Sequence, residues 1–172
     1  LHTDKAQGYL AKSNLPLYKG DTLITEPKGR IRFQLHDESI ITLGSRTKLI
    51  ISRSIYDPEK KTRSSFLGMD LGKARFFVNR LIGFKRSEFK VKTKTGVAGV
   101  RGSDFIVVAT DIRTEVITLQ DTALEVVSVA APDVPPTVLE SFEKTSVEEG
   151  LLPTEPEPVS PEEAIQVTAD VG

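Results

Sequence analysis

Between residues 30 and 35 apolar and polar side chains alternate without a break, with Ile31, Phe33 and Leu35 on one face and Arg30, Arg32 and Gln34 on the other. Successive side chains of an extended chain point to opposite faces, so this period of two predicts a half-buried strand. A polar run at residues 36–39 leads into apolar residues 40–43, and the two runs with their turn predict a hairpin. Residues 48–52, with β-branched Ile50 and Ile51, predict another strand. Residues 56–63 read as an exposed loop in which Pro58 ends that strand. Residues 71–78 and 88–93 predict a further pair. In its second member Phe89 and Val91 face inward, whereas Glu88, Lys90 and Lys92 face water. Short β-rich runs at 105–109, 115–119 and 124–129 complete the series. Turn signals recur about every ten residues and no helical period persists, which predicts an all-β fold of antiparallel strands in a sandwich or a solenoid-like roll.

One segment departs from simple alternation. Residues 96–105 read Gly-Val-Ala-Gly-Val-Arg-Gly-Ser-Asp-Phe, with Gly96, Gly99 and Gly102 three apart. Glycine at such spacing marks positive φ or a close approach of backbones, here a crossing between two strands. A phosphate-cradling loop needs Lys-Ser or Lys-Thr and a helix after its last glycine, but Gly102 leads into a strand-like run. Arg101, between Val100 and Gly102, is placed to bond neighbouring carbonyls or to pair with Asp104 and so to fasten the crossing.

Beyond residue 130 the pattern fades. Seven prolines and many acids fill residues 131–172, which predicts a β domain over 1–130 followed by an acidic, Pro-rich tail or linker, extended and solvated over 154–163. Within it, Val138, Leu139 and Phe142 are placed to lie against the β body. Ser160, Pro161 and Glu163 form a helix start, with Ser160 as N-cap and Glu163 completing a capping box.

Charge follows the same division. The net charge of −1 hides 22 Lys and Arg against 12 Asp and Glu in residues 1–120, and one against 12 thereafter. Residues 73–101 hold nine basic side chains and a single acid, Glu88. Lys73, Arg75, Lys85, Arg86, Lys90, Lys92 and Lys94 are therefore the candidate binding surface, drawing anionic partners or the chain's own acidic end. Nucleic acid is disfavoured, because Phe89 and Phe105 fall in the inward phase and do not interleave with the outward charges.

Catalytic chemistry finds few residues. There is no cysteine, and His2 and His36 are the only histidines. A nucleophile and base set would have to use His36 with Asp37 or Ser39, adjacent turn residues whose side chains need not converge. No His, Asp or Glu cluster has metal-ligand spacing, so neither a metal nor a cofactor is expected. No run of about 18 apolar residues exists, so no membrane-spanning helix is expected. A chain opening on Leu1 is expected of a processed or trimmed product.

The glycine segment resembles the core motif of FecR-type domains, whose namesake is the periplasmic regulator of ferric citrate transport. Phe89-Lys-Val-Lys-Thr93 followed by Gly96-Val-Ala-Gly-Val-Arg-Gly-Ser-Asp-Phe105 is similar to that family's signature, with Gly96, Gly99, Arg101, Gly102, Asp104 and Phe105 at the matching positions. Tyr18-Lys-Gly-Asp-Thr-Leu-Ile-Thr25, Gly29-Arg-Ile-Arg-Phe-Gln-Leu35 and Leu71-Gly-Lys-Ala-Arg-Phe76 extend the likeness over roughly residues 8–130. Where the family carries Asp-Gly-Ser this chain has Asp37-Glu38-Ser39, which predicts a different hairpin turn, and a late glycine is missing from residues 121–127. The resemblance implies an exported, periplasmic or cell-envelope module that is not an enzyme and that contacts another envelope protein in sensing, signalling or scaffolding. The basic patch alone suggests an alternative, the binding of an anionic glycan or lipid headgroup of the envelope such as lipopolysaccharide or peptidoglycan.

Overall fold

The computed structural model describes residues 8–120 and 123–172; His2 and the first two residues of the 121–127 run lie outside the described residues. The fold is all-β, as expected. Strand β1 (Thr22–Ile24) pairs with β4 (Lys48–Asp57), and β2 (Ile31–Gln34) forms the expected hairpin with β3 (Ile40–Leu43), Phe33 opposite Ile41. The segment expected to be a loop over 56–63 narrows to a turn at 58–61. It joins β4 to β5 (Thr62–Val78), a strand of 17 residues.

Strand β5 sets the architecture. Its buried positions are Arg63, Ser65, Leu67 and Met69, and then Ala74, Phe76 and Val78. A change from odd to even parity would turn the second series away from the core in a straight strand. Here the chain bends at Gly72, which adopts φ +104°, and both series face one interior. The first half of β5 lies between β4 and β6 (Arg86–Lys92), a side continued by β7 (Gly96–Val100), β10 (Leu124–Ser128) and β11 (Thr137–Leu139). The second half lies between β3 and β8 (Ser103–Ala109), followed by β9 (Arg113–Gln120), β12 (Glu143–Glu148) and the short β13 (Glu157–Pro158). The sheet thus curls into a half-barrel.

Two pairing expectations change. Residues 71–78 bond to β3 and β8, while β6 pairs with residues 62–68 of β5 and runs parallel to it. The reason is the bend, because the chain leaving β5 in one half must cross back to the other before β6 begins. Parallel pairing follows from such a crossover.

Fully buried side chains from both halves fill the interior, among them Leu49, Leu67, Met69 and Phe89 from one side and Ile41, Leu43, Phe76 and Phe105 from the other. Phe76 stacks on Phe105 with centroids 5.1 Å apart and meets Phe89 edge-on at 6.4 Å. Such pairs contribute about 0.5–1.5 kcal/mol each beyond the area they bury.

The change of composition near residue 131 does not interrupt the hydrogen-bonded sheet, since β11 pairs with β10 and β12 with β9. Leu139 is buried as expected, whereas Val138 and Phe142 stay about half exposed. Helix α1 (Pro161–Thr168) begins at Ser160, whose side chain accepts from Glu163 N at 3.2 Å. Only half of the expected capping box forms, because the Glu163 carboxylate accepts from Lys144 Nζ at 2.7 Å instead. That bond holds the Lys144 ammonium above its usual range. The lysine's contribution is therefore complete at neutral pH and is lost as the pH climbs through the raised lysine range. Val159 and Val171, flanking α1, bury themselves against Ile106, Ile117 and Leu119 on the outer face of the second half.

At Gly72 an added Cβ would lie 2.3 Å from Thr47 Oγ1 and 2.5 Å from Thr47 Cα. Gly83 shares a positive φ, +76°, but nothing lies within 4 Å of its Cβ position. Gly72→Ala is expected to cost about 3 kcal/mol or more, from strain and clash together, against about 1 kcal/mol for Gly83→Ala. Denaturant titration of the two variants measures this, and equal losses would refute the corner role of Gly72.

Candidate functional site

Arg63 enters the interior at the first turn of β5, where its side chain is 0% exposed. Nη1 donates to Asp37 Oδ2 at 2.8 Å and to the Asn79 carbonyl at 2.7 Å, and Nη2 donates to Ser87 Oγ and the Arg101 carbonyl, both at 2.8 Å. Asp37 is completed by the Ser39 amide at 3.1 Å and the Ser39 hydroxyl at 3.0 Å. Asn79 closes the circuit, its Nδ2 donating to the Asp37 carbonyl and its amide to Ser39 Oγ, each at 3.0 Å. One guanidinium therefore ties the β2–β3 turn, both ends of β5, the start of β6 and the β7–β8 turn.

The glycine segment is that last turn. Val100 to Ser103 carries the chain from one half of the sheet to the other, the crossing expected from its sequence. Its glycines are not at positive φ. Close approach explains Gly102, where a Cβ would sit 2.6 Å from Arg80 Cβ, and Gly96, 3.2 Å from Val147 Cγ2. Gly99 has only Lys90 Cγ near, at 3.9 Å, and leaves the outer face of β7 bare. The fastening differs from expectation. The Arg101 side chain is exposed and its carbonyl is what is held, by Arg63. Asp104 pairs with Arg75, accepting from Nε at 2.8 Å and Nη2 at 2.6 Å. Register accounts for this: Asp104 stands opposite Phe77 and Arg75 opposite Ile106, a diagonal neighbour across adjacent strands. These bonds raise Arg75 above the ordinary guanidinium range.

The basic patch divides between the two outer faces, because the bend in β5 turns its second half away. Lys73 and Arg75 lie on the outer face of the second half, engaged by Asp170 at 2.8 Å and by Asp104. Lys90 and Lys92 lie on the outer face of the first half, with Lys94 at one end, paired to Asp111, and Lys85 and Arg86 at the other. Two cross-strand rows build that face. Gly68, Lys92, Val97 and Val127 form one; Arg53, Phe66, Lys90, Gly99 and Glu125 form the other. They floor a groove of about 730 Å³. Phe66 lies between the Arg53 guanidinium, 5.0 Å from its ring centroid, and the Lys90 ammonium at 5.6 Å. Phe66 is a contact residue that the alternation pattern did not flag, since residues 64–70 interleave serine, glycine and aspartate with apolar residues.

Residues 21–124, the strands that hold the clamp, the crossing and most of the groove, match the profile of the family described as FecR protein. The chain belongs to the FecR family. Two crystal structures, at 1.65 and 2.50 Å, of a protein described as a candidate anti-sigma factor from Parabacteroides distasonis share the fold. Each aligns with a TM-score of 0.65 and 21% identity, over 87% of this chain and 63% of the other. This FecR chain thus spans less than two thirds of the length of those neighbours. No curated protein sequence matches it significantly.

Within the FecR frame, Glu38 of the substituted hairpin turn holds φ +67°, in the left-handed region that glycine favours. Asp37 and Ser39 need the turn in that shape to reach Arg63, and a non-glycine residue in the left-handed region costs about 1–2 kcal/mol. Arg63 itself escaped sequence reasoning, because Lys60-Lys-Thr-Arg63 looks like a solvated run. Its position at the odd phase of Leu67 and Met69 was the available signal.

Asp37→Ala strands the Arg63 charge in the interior and is expected to cost about 3–5 kcal/mol. Arg101→Ala, which leaves the carbonyl in place, should change stability by less than about 0.5 kcal/mol. Thermal and denaturant unfolding compare the two; a large loss for Arg101→Ala would restore its side chain as the fastening.

Proposed function

We propose that this chain is the non-enzymatic regulatory module of a FecR-type system of the cell envelope, acting through contact with a partner protein in sensing, signalling or scaffolding. The observation that carries this reading is the FecR match over residues 21–124, which takes in most of the groove and the clamp that shapes it. The structural neighbour is described as a candidate anti-sigma factor, in keeping with a regulatory role.

The chemistry near the sole described histidine supports a non-catalytic reading. His36 is exposed, whereas its neighbours Asp37 and Ser39 turn inward. The Ser39 hydroxyl donates to Asp37 and accepts from the Asn79 amide, so its proton and lone pair are both engaged in holding the turn. A serine in that state is not poised as a nucleophile. The exposed groove, with its largely apolar floor and a rim richer in cations than in acids, is by contrast a surface with unfilled contacts.

A photo-crosslinking residue at Val97, on the groove floor, is expected to give one discrete protein adduct in cells expressing the full gene. Deleting the gene should change transcript levels, with restoration by the natural sequence and not by Phe66→Asp. Absence of an adduct together with an unchanged transcript profile would defeat the proposal.

A further inference from the structure

The groove over β5, β6, β7 and β10 does not end at Gly99. Lys90, Gly99 and Glu125 also border a wider cleft of about 1790 Å³ that reaches Arg80, Arg86 and Arg101. The two form one trough along β6, from Lys92 to Arg86. At the far end the 79–85 connection is anchored twice, by Arg80 against Gly102 and by Phe84 stacked on Tyr56 with centroids 5.8 Å apart. It holds Ile82 90% exposed beside the cleft.

Cations outnumber acids along the trough, where Asp70, Glu88 and Glu125 are the carboxylates among the described lining residues. Among the described residues Arg53, Arg80, Arg86, Lys92 and Arg101 have no carboxylate within 4 Å, and Lys90 has only Glu88, at 3.8 Å. Unpaired cations beside an apolar floor attract a ligand carrying acids and apolar groups together. Backbone pairing is not open to that ligand, because β5, β6, β7 and β10 are each bonded to a strand on both sides. An added strand is thereby excluded at the floor, and contact must come from side chains.

The opposite outer face shows how this chain itself fills such a surface. There Ile106, Ile117 and Leu119 are covered by Val159 and Val171, with Ala164 and Val167 of α1 packed beside them. Lysines at the margin hold acids of the covering segment, Lys144 to Glu163 at 2.7 Å and Lys73 to Asp170 at 2.8 Å. The covering is a short acidic segment built around α1, with Val159 and Val171 buried at its two ends and Ala164 and Val167 of the helix partly buried between them. Both faces share the apolar centre and the basic margin; only one is covered.

We propose that the trough along β6 is the docking surface for a short acidic amphipathic helix of a partner protein. This rests on the protein-contact reading above and names the partner's chemistry. The Lys92-to-Arg86 span of β6 is about 20 Å, which a helix of roughly 13 residues matches. Gly68 and Gly99, bare on neighbouring rows, admit the apolar side chains of the helix. Arg53, Lys90, Lys92 and Arg86 meet its acids.

A random short-peptide library displayed on phage and selected against the full chain supplies the probe. Selected peptides are expected to be acidic, with apolar residues at helical spacing. Added to isotope-labelled protein, they should shift the amide signals of Gly68, Val97 and Gly99. Lys90→Glu combined with Lys92→Glu should weaken binding by about tenfold or more and flatten its salt dependence, with thermal unfolding little changed because both side chains lie on the outer face and Lys90 gives up only its contacts with Phe66 and Glu88. Val97→Gln gives a charge-neutral check, blocking the floor while keeping every cation, and should weaken binding while leaving its salt dependence in place. Neutral or basic selected peptides, or shifts centred elsewhere, would overturn the assignment while a cellular protein adduct at Val97 kept the wider reading alive. Phosphatidylglycerol vesicles that bound more tightly than any peptide and were lost in the same variants would also overturn it, assigning the trough to lipid.

Discussion

The buried ion pair of Arg63 and Asp37 is the constraint on which the remainder of the molecule depends. Taking a guanidinium and a carboxylate out of water costs several kcal/mol for each ion, and their attraction offsets this only with good geometry and filled hydrogen-bonding positions. The four bonds from Arg63 reach residues 37, 79, 87 and 101, which belong to segments far apart in sequence and on both halves of the sheet. None of these positions is in place unless the half-barrel has closed. The pair's bonds are therefore tied to the closed arrangement, since only that arrangement brings residues 37, 79, 87 and 101 together around the guanidinium.

Gly72 supplies the complementary constraint at the opposite end. The bend there brings the two ends of β5 together, so that Arg63 near the start of the strand meets Asn79 just beyond its finish. Thr47 Oγ1 stabilises the corner, accepting from the Lys73 amide and donating to the Lys73 carbonyl, both at 3.0 Å. Corner and clamp between them fix the angle of the two sheet halves. The clamp also governs the groove: it holds the crossing at residues 100–103, Gly102 seats Arg80, and the connection presenting Ile82 follows from that seat.

What could be read in the sequence was what local alternation encodes. The β2–β3 hairpin and the inward phase of Phe89 and Val91 were legible because apolar residues there recur every second position with a polar partner between. The 17-residue β5 was not, because its parity changes at Gly72 and each half looks like a separate short strand. Arg63 was illegible for a related reason: burial of a charge depends on acceptors contributed by distant segments, which no window around residue 63 contains. The glycine segment revealed the crossing, yet its arginine was misjudged, since a side chain between two glycines and the carbonyl of the same residue are equally plausible points of attachment. Serine, threonine and glutamate in residues 137–148 hid two strands whose pairing comes from neighbours already in register rather than from their own propensity.

The charge asymmetry of the chain acquires a spatial meaning from the fold. The acidic C-terminal part meets the basic part around α1, where Asp170 reaches Lys73, while Glu163 is held by Lys144, the lone basic residue of its own region. Lys90, Lys92 and Arg86 lie on the opposite outer face, beyond the reach of α1, whose footprint is Ile106, Ile117 and Leu119. The near-zero total charge is therefore no measure of the field at either surface, because charges on opposite sides of a sheet are separated by its packed interior and screened by solvent over about 8–10 Å. A molecule that commits Asp170 and Glu163 to one outer face leaves cations in excess on the other, and it is there that the bare glycines keep an apolar floor open.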